Sequence, residues 1–125
     1  IEVAIANLST TIITHGRPVF VGLQASDATS YPGGIRYRSN GIAATTDAAY
    51  ISFRRAGATV NMSMLAQRQI TTPTDDVNIT VPCSSFWFME TPASGSQSYT
   101  VHARTATADN GFLTVQNCKL VVFEL

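Results

Sequence analysis

Charge is scarce in this 125-residue sequence: Asp, Glu, Lys and Arg together make up 13 % of it, about half the share usual in globular domains. Eight basic residues balance eight acidic ones. Without a basic excess, neither nucleic acid nor an anionic membrane surface is an expected partner. No run of about 18 apolar residues occurs, so no membrane-spanning helix is predicted. No basic-then-apolar leader opens the chain, and the start at Ile1 reads as a processed chain or a fragment. Only two histidines occur, His15 and His102, in neither metal-ligand spacing nor the neighbourhood of a cysteine pair. There is no Gly-x-Ser-x-Gly elbow. The acids Asp75, Asp76, Glu90 and Asp109 are scattered over predicted loops and strand ends, where carboxylates are usually just solvated. Gly33-Gly34 and Gly57 precede no helical pattern and read as turn glycines, not as a phosphate cradle. These absences argue against an enzyme, and no metal or cofactor is expected.

What remains is strongly β. Apolar residues make up 45 % of the chain, enough for a core, and the length suits one domain over residues 1–125. Thr, Val, Ile and aromatic residues come in short runs divided by Gly, Pro, Asn, Asp and Ser. No stretch keeps a helical period over three turns. Strands are expected at residues 9–14, 18–23, 35–39, 49–55, 59–69, 77–81, 84–90, 98–104 and 113–125, with residues 1–9 an N-terminal arm or a further strand. The turns fall at His15-Gly16 and Ala56-Gly57, and loops at residues 25–34 and 70–76. About eight to ten short strands at this spacing predict an antiparallel β-sandwich or jelly roll.

Alternation adds detail. In residues 49–55, Ala49, Ile51, Phe53 and Arg55 share the face that reads as core, and Tyr50, Ser52 and Arg54 share the other. Two segments break that rule. Phe86-Trp87-Phe88-Met89 and Leu120-Val121-Val122-Phe123 are apolar on both faces. An apolar outer face must be covered, either by a loop or strand of the same chain or by identical subunits. The scarcity of charge favours identical subunits, as in a trimer built around these strands. Phe86, Trp87, Phe88 and Phe123 are therefore expected in the core or the subunit interface.

Three weaker signals remain. Tyr31, Arg36, Tyr37 and Arg38 surround Pro32-Gly33-Gly34; rings beside guanidinium groups suit a sugar or a peptide surface, or the tyrosines simply anchor the loop on the sandwich. Cys83 and Cys118 either pair, closing a loop of about 35 residues worth about 3–4 kcal/mol, or sit as two buried thiols. Asn7, Asn61 and Asn78 open Asn-x-Ser/Thr triplets that accept glycan in a secreted eukaryotic protein.

Some longer stretches bear a family likeness. The run Glu90-Thr91-Pro92-Ala93-Ser94-Gly95-Ser96-Gln97-Ser98-Tyr99-Thr100-Val101-His102-Ala103-Arg104 is a Gly-containing turn leading into a Tyr-Thr-Val strand. Leu113-Thr114-Val115-Gln116-Asn117 follows it, and Cys118-Lys119-Leu120-Val121-Val122-Phe123-Glu124-Leu125 ends the chain. Together these resemble the closing strands of jelly-roll modules in bacteriophage tail fibres and other virion surface proteins, often likened to the trimeric heads of the C1q and tumour necrosis factor superfamily. Thr14-His15-Gly16-Arg17-Pro18-Val19 resembles the opening of such modules, and Ile51-Ser52-Phe53-Arg54-Arg55-Ala56-Gly57-Ala58-Thr59 their strand and hairpin. The turn reads Pro-Ala-Ser-Gly where the modules have a tighter Pro-Gly-x-Gly, and no collagen-like or coiled-coil stalk precedes it here. The resemblance implies a non-enzymatic homotrimer on the particle exterior. It would decorate a capsid or cap a fibre, touching other virion proteins and a host-surface glycan or protein. Two other functions stay open, a carbohydrate-binding module and an extracellular C1q-like signalling domain.

Overall fold

A computed structural model describes residues 2–26, 33–40, 45–70, 76–105 and 111–125. Ile1, Tyr31, Asp75 and Asp109 lie outside the described residues. Ten strands occur in them: β1 (Glu2–Thr14), β2 (Val19–Ala25), β3 (Gly34–Asn40), β4 (Thr45–Arg55), β5 (Ala58–Ile70), β6 (Asp76–Pro82), β7 (Trp87–Glu90), β8 (Gly95–Thr105), β9 (Gly111–Gln116) and β10 (Cys118–Glu124). The other element is one 3₁₀ turn, Cys83–Ser85. The fold is all-β, and every paired strand is antiparallel.

One sheet has four strands in the order β1-β8-β4-β5, and two have three, β10-β2-β7 and β6-β3-β9. The pairs nest around the Ala56-Gly57 hairpin, whose left-handed φ values of 50° and 83° reverse the chain. Outward from β4–β5 come β3 with β6, β2 with β7, and then β1 with β8. β9 and β10 occupy the remaining edges of β3 and β2.

The two three-stranded sheets are thus built from the same three stretches of chain, each interrupted once. One breaks between β2 and β3, one at the 3₁₀ turn between β6 and β7, and one at Asn117, with φ 48°, between β9 and β10. The breaks meet. Ser26 N–H donates to the Asn117 carbonyl at 2.7 Å, and Leu23 N–H to that of Phe86 at 2.9 Å. Gly33 sits where a Cβ would come within 2.8 Å of both Ala25 Cα and the Asn117 oxygen, so no side chain fits between these crossings. The final stretch, expected as one strand, is two because this junction interrupts it.

β1 also departs from expectation. It runs as one strand from the arm into residues 9–14, but its pairing with β8 jumps from Ala4↔His102 to Ser9↔Thr100. Five steps on one strand against two on the other make a large bulge, with Asn7 at φ 66° inside it.

One core joins the layers. Leu8, Ile51, Phe53, Tyr99 and Val101 of the four-stranded sheet pack with Val19, Val21, Leu23, Ile35 and Phe88 of the three-stranded sheets and with Cys83 and Phe86 of the turn. Phe53 and Phe88 meet across the layers with centroids 5.2 Å apart. The architecture is sandwich-like, and the inward face read from residues 49–55 holds: Ala49, Ile51 and Phe53 are fully enclosed.

Candidate interaction surface

The outer face of β10-β2-β7 is built by plain alternation. Val19, Val21 and Leu23 point inward, which sends Phe20, Gly22 and Gln24 out. Register places Phe123 and Met89 on either side of Phe20, and Val121 and Trp87 on either side of Gly22. Phe20 is the centre of a three-ring stack. Its centroid is 5.8 Å from Trp87 and 5.1 Å from Phe123, with interplanar angles of 19° and 23°. Gly22 makes this possible, since a Cβ there would lie 2.8 Å from both the Phe20 ring and Trp87 Cβ. The stack is not enclosed: Trp87 remains 54 % exposed, and Phe123 and Met89 47 % each. Full burial of a large apolar side chain is worth about 1.5–3 kcal/mol relative to exposure, so this face leaves a substantial gain unrealised in the single chain.

The four aromatics singled out in the sequence therefore divide. Phe86 and Phe88 are core, at 3 % and 9 % exposure, and Trp87 and Phe123 face outward. Phe20, the centre of the stack, was missed. Its signal was present, because Val19-Phe20-Val21 is apolar on both faces too.

The outer face of the four-stranded sheet is mixed: Ile13, Met62 and Met64 are exposed on it, and a network of polar side chains lies between them. Glu2 reaches across β8 to accept a hydrogen bond from the Ser52 hydroxyl and to pair with Arg54 Nη2 at 2.8 Å. These partners, Ser52 first, hold the Glu2 carboxyl below its ordinary value. His102 is the cross-strand neighbour of Ser52, and desolvation, then the Arg54 charge, lowers its pKa. Ser52 donates its hydroxyl hydrogen bond to Glu2, so no Ser–His hydrogen bond of the nucleophilic kind forms here. The guanidinium of Arg104 lies 4.8 Å over the Tyr50 ring. At the sheet's end, Glu90 accepts from Arg55 Nε at 2.6 Å and from the Tyr99 hydroxyl at 2.8 Å. Burial, then Glu90, raises the Tyr99 pKa.

The Tyr/Arg cluster is not a single surface. In β3, Ile35 and Tyr37 turn into the core, Tyr37 fully enclosed, while Arg38 is exposed and Arg36 donates through Nε to Asn78 at 2.9 Å on the outer face. Alternation along the strand separates the ring from the guanidinium groups, which removes Tyr37 as a ligand platform; Tyr31 lies outside the described residues. Cys83 and Cys118 are free thiols brought together at the sheet junction. Burial and the neighbouring Cys83 push the Cys118 thiol up to about 12. His15 and Glu124 tie the β1–β2 turn to β10, with His15 Nδ1 2.8 Å from Glu124 Oε1. Among the described residues, no three His, Cys, Asp or Glu side chains converge as a metal set.

No protein-family model matches this chain, and neither does any curated protein or solved structure.

Proposed function

We propose that this chain is a non-enzymatic structural protein of a virion surface, a jelly-roll subunit that assembles as a homotrimer to decorate a capsid or cap a fibre, in contact with other virion proteins and a host-surface molecule. One observation carries the self-assembly: the open Phe20–Trp87–Phe123 stack, flanked by Met89, on the outside of β10-β2-β7. A stable interface buries about 800 Å² per partner, and most of its energy comes from a few aromatic anchors. Copies of a chain with zero formal net charge meet without electrostatic repulsion, and enclosing these rings supplies the driving force.

Strand order supports the jelly-roll reading. A jelly roll is a long antiparallel ribbon rolled up so that successive pairs fall alternately in two sheets. Here β4–β5 and β1–β8 lie in one sheet, and between them on the ribbon comes a single interrupted pair, β2 and β3 against β7 and β6, which lies outside that sheet. The virion setting rests on the resemblance of the Glu90–Arg104 turn and strand and of the closing residues to phage surface modules.

Size-exclusion chromatography with light scattering tests the assembly. The expected mass is that of three chains at micromolar concentration. A stable monomer there would overturn the reading, as would a trimer that persists when Trp87 and Phe123 are both replaced by Ser.

A further inference from the structure

The sheet junction holds two thiols. Cys83 opens the 3₁₀ turn between β6 and β7, and Cys118 opens β10 just after the break at Asn117. They reach the same gap from opposite sides. Register sets Pro82 and Gln116 on either side of Gly34, where β3 begins, and Cys118 beside Ala25, where β2 ends. The far end of the turn returns to β2 through the Leu23 N–H bond to the Phe86 carbonyl. Strands flanking an unbroken middle strand stand two spacings apart, about 9–10 Å, and a disulfide needs Cα atoms about 4.4–6.8 Å apart. Here the middle stretch is interrupted between Ala25 and Gly34, so side chains from both flanks meet beneath the break.

Both sulfurs turn inward. Cys83 is 1 % exposed in the core cluster. Cys118, in step with Leu120 and Val122, packs against that cluster and is only partly buried. Its Sγ lies 3.1 Å from the Gln116 carbonyl oxygen and 3.8 Å from that of Gly34, and its thiol is a hydrogen-bonding neighbour of Cys83. The chain has no third cysteine to compete.

We propose that Cys83 and Cys118, free thiols in this structure, form a staple that a disulfide oxidant of the glutathione class closes across the break. Cys118, the more accessible thiol, loses its proton, and its thiolate attacks one sulfur of oxidised glutathione. The glutathione S–S bond breaks and one glutathione thiolate leaves. The Cys83 thiolate then attacks the Cys118 sulfur and expels the second. Two protein thiols are oxidised to one disulfide, one glutathione disulfide is reduced to two thiols, and the two protons pass to the leaving thiolates. Burial and the neighbouring Cys83 hold the Cys118 thiol up at about 12, so its thiolate is scarce near neutrality and closure is faster in alkali. The link ties the stretch of β6 and β7 directly to that of β9 and β10. Since β7 carries Trp87 and β10 carries Phe123, closure also braces the aromatic face. That consequence rests on the assembly reading, whereas closure itself is read on a single chain.

The full chain, purified in dithiothreitol and then freed of it, is incubated with oxidised glutathione at about pH 9 and mapped by peptide mass spectrometry. The expected result is a Cys83–Cys118 link within one chain and the loss of both titratable thiols. The unfolding temperature should rise by about 10 °C and fall back when dithiothreitol is added. Cys118→Ser should form no link and lose the redox-dependent shift, and Cys83→Ala decides the matter if Cys118→Ser fails to fold. Thiols that stay free, a stable glutathione adduct on Cys118 beside an unmodified Cys83, or a link between chains overturns the proposal. A redox-dependent shift that survives in both variants overturns it too. None of these readouts depends on whether the chain is monomer or trimer, so failure here and failure of the assembly reading are told apart.

Discussion

The two outer faces of this sandwich obey the same alternation and reach opposite ends. On the four-stranded sheet, outward positions carry Glu2, Ser52, Arg54, Thr11 and Ser98, and these satisfy one another: Thr11 and Ser98 hydroxyls lie 2.8 Å apart, and Glu2 holds both Ser52 and Arg54. That face joins most of its polar groups within the chain, and the apolar side chains it leaves exposed, Ile13, Met62 and Met64, form no ring stack among the described residues. On β10-β2-β7, outward positions carry Phe20, Trp87, Met89 and Phe123, which stack on each other and still face water. A polar face can finish its hydrogen bonds within one chain, whereas an apolar face of this width is finished only by another surface. The difference separates the face that ties the chain's own strands together from the face proposed to assemble it.

The largest effect should come from the aromatic face. Replacing Trp87 and Phe123 together by Ser should cost about 2 kcal/mol or more per anchor in association, turning an assembled species into monomer by light scattering, while the monomer's unfolding midpoint barely moves. If the midpoint falls and the mass stays, these rings serve the fold and the contrast between the faces collapses.

Gly22→Val acts on the same face from below. Its side chain must push Phe20 and Trp87 aside, so a loss of about 1–3 kcal/mol in chemical denaturation is expected. An unchanged midpoint would show that the stack has room to spare.

Glu2→Gln probes the polar face. The partners are partly exposed and screened, so the expected loss is about 0.5–1 kcal/mol, shrinking further in high salt. Assembly should be untouched, which native mass measurement checks.

Acidification sharpens the contrast most gently. The folded pKa of Glu2 is depressed, so its contribution is complete above the ordinary value of 4.5 and is lost as pH falls through the lower folded value. His102 is also depressed: below about its ordinary 6.5 the unfolded chain takes up a proton first, so unfolding gains ground until folded His102 protonates as well. Stability should therefore decline as pH drops from 6.5, and His102→Gln should flatten the upper part of that decline. A profile identical in His102→Gln would remove His102 from the account.

Much of this was readable in the residues. The clean alternation of residues 49–55 placed Ile51 and Phe53 inward, and the two-faced runs around Trp87 and Phe123 announced an uncovered surface. Of the two readings open for Tyr31, Arg36, Tyr37 and Arg38, the enclosed Tyr37 ring agrees with a tyrosine packed on the sandwich and not with one surface shared with Arg36 and Arg38. In a strand, neighbours point apart, and Ile35-Arg36-Tyr37-Arg38 already carried that signal. The bulge in β1 left no local trace, since it is a mismatch in step between β1 and β8, strands that lie far apart in the sequence.

The sequence by itself determined that the chain is built of short strands and which side the residues of 49–55 show, because a period of two is a property of a few consecutive side chains. Only the tertiary structure decided that Phe20, Trp87 and Phe123 form one stack, that Cys83 meets Cys118, and that Glu2 leaves Arg104 for Arg54. Those pairings depend on register between distant strands, and register is fixed by the whole core at once.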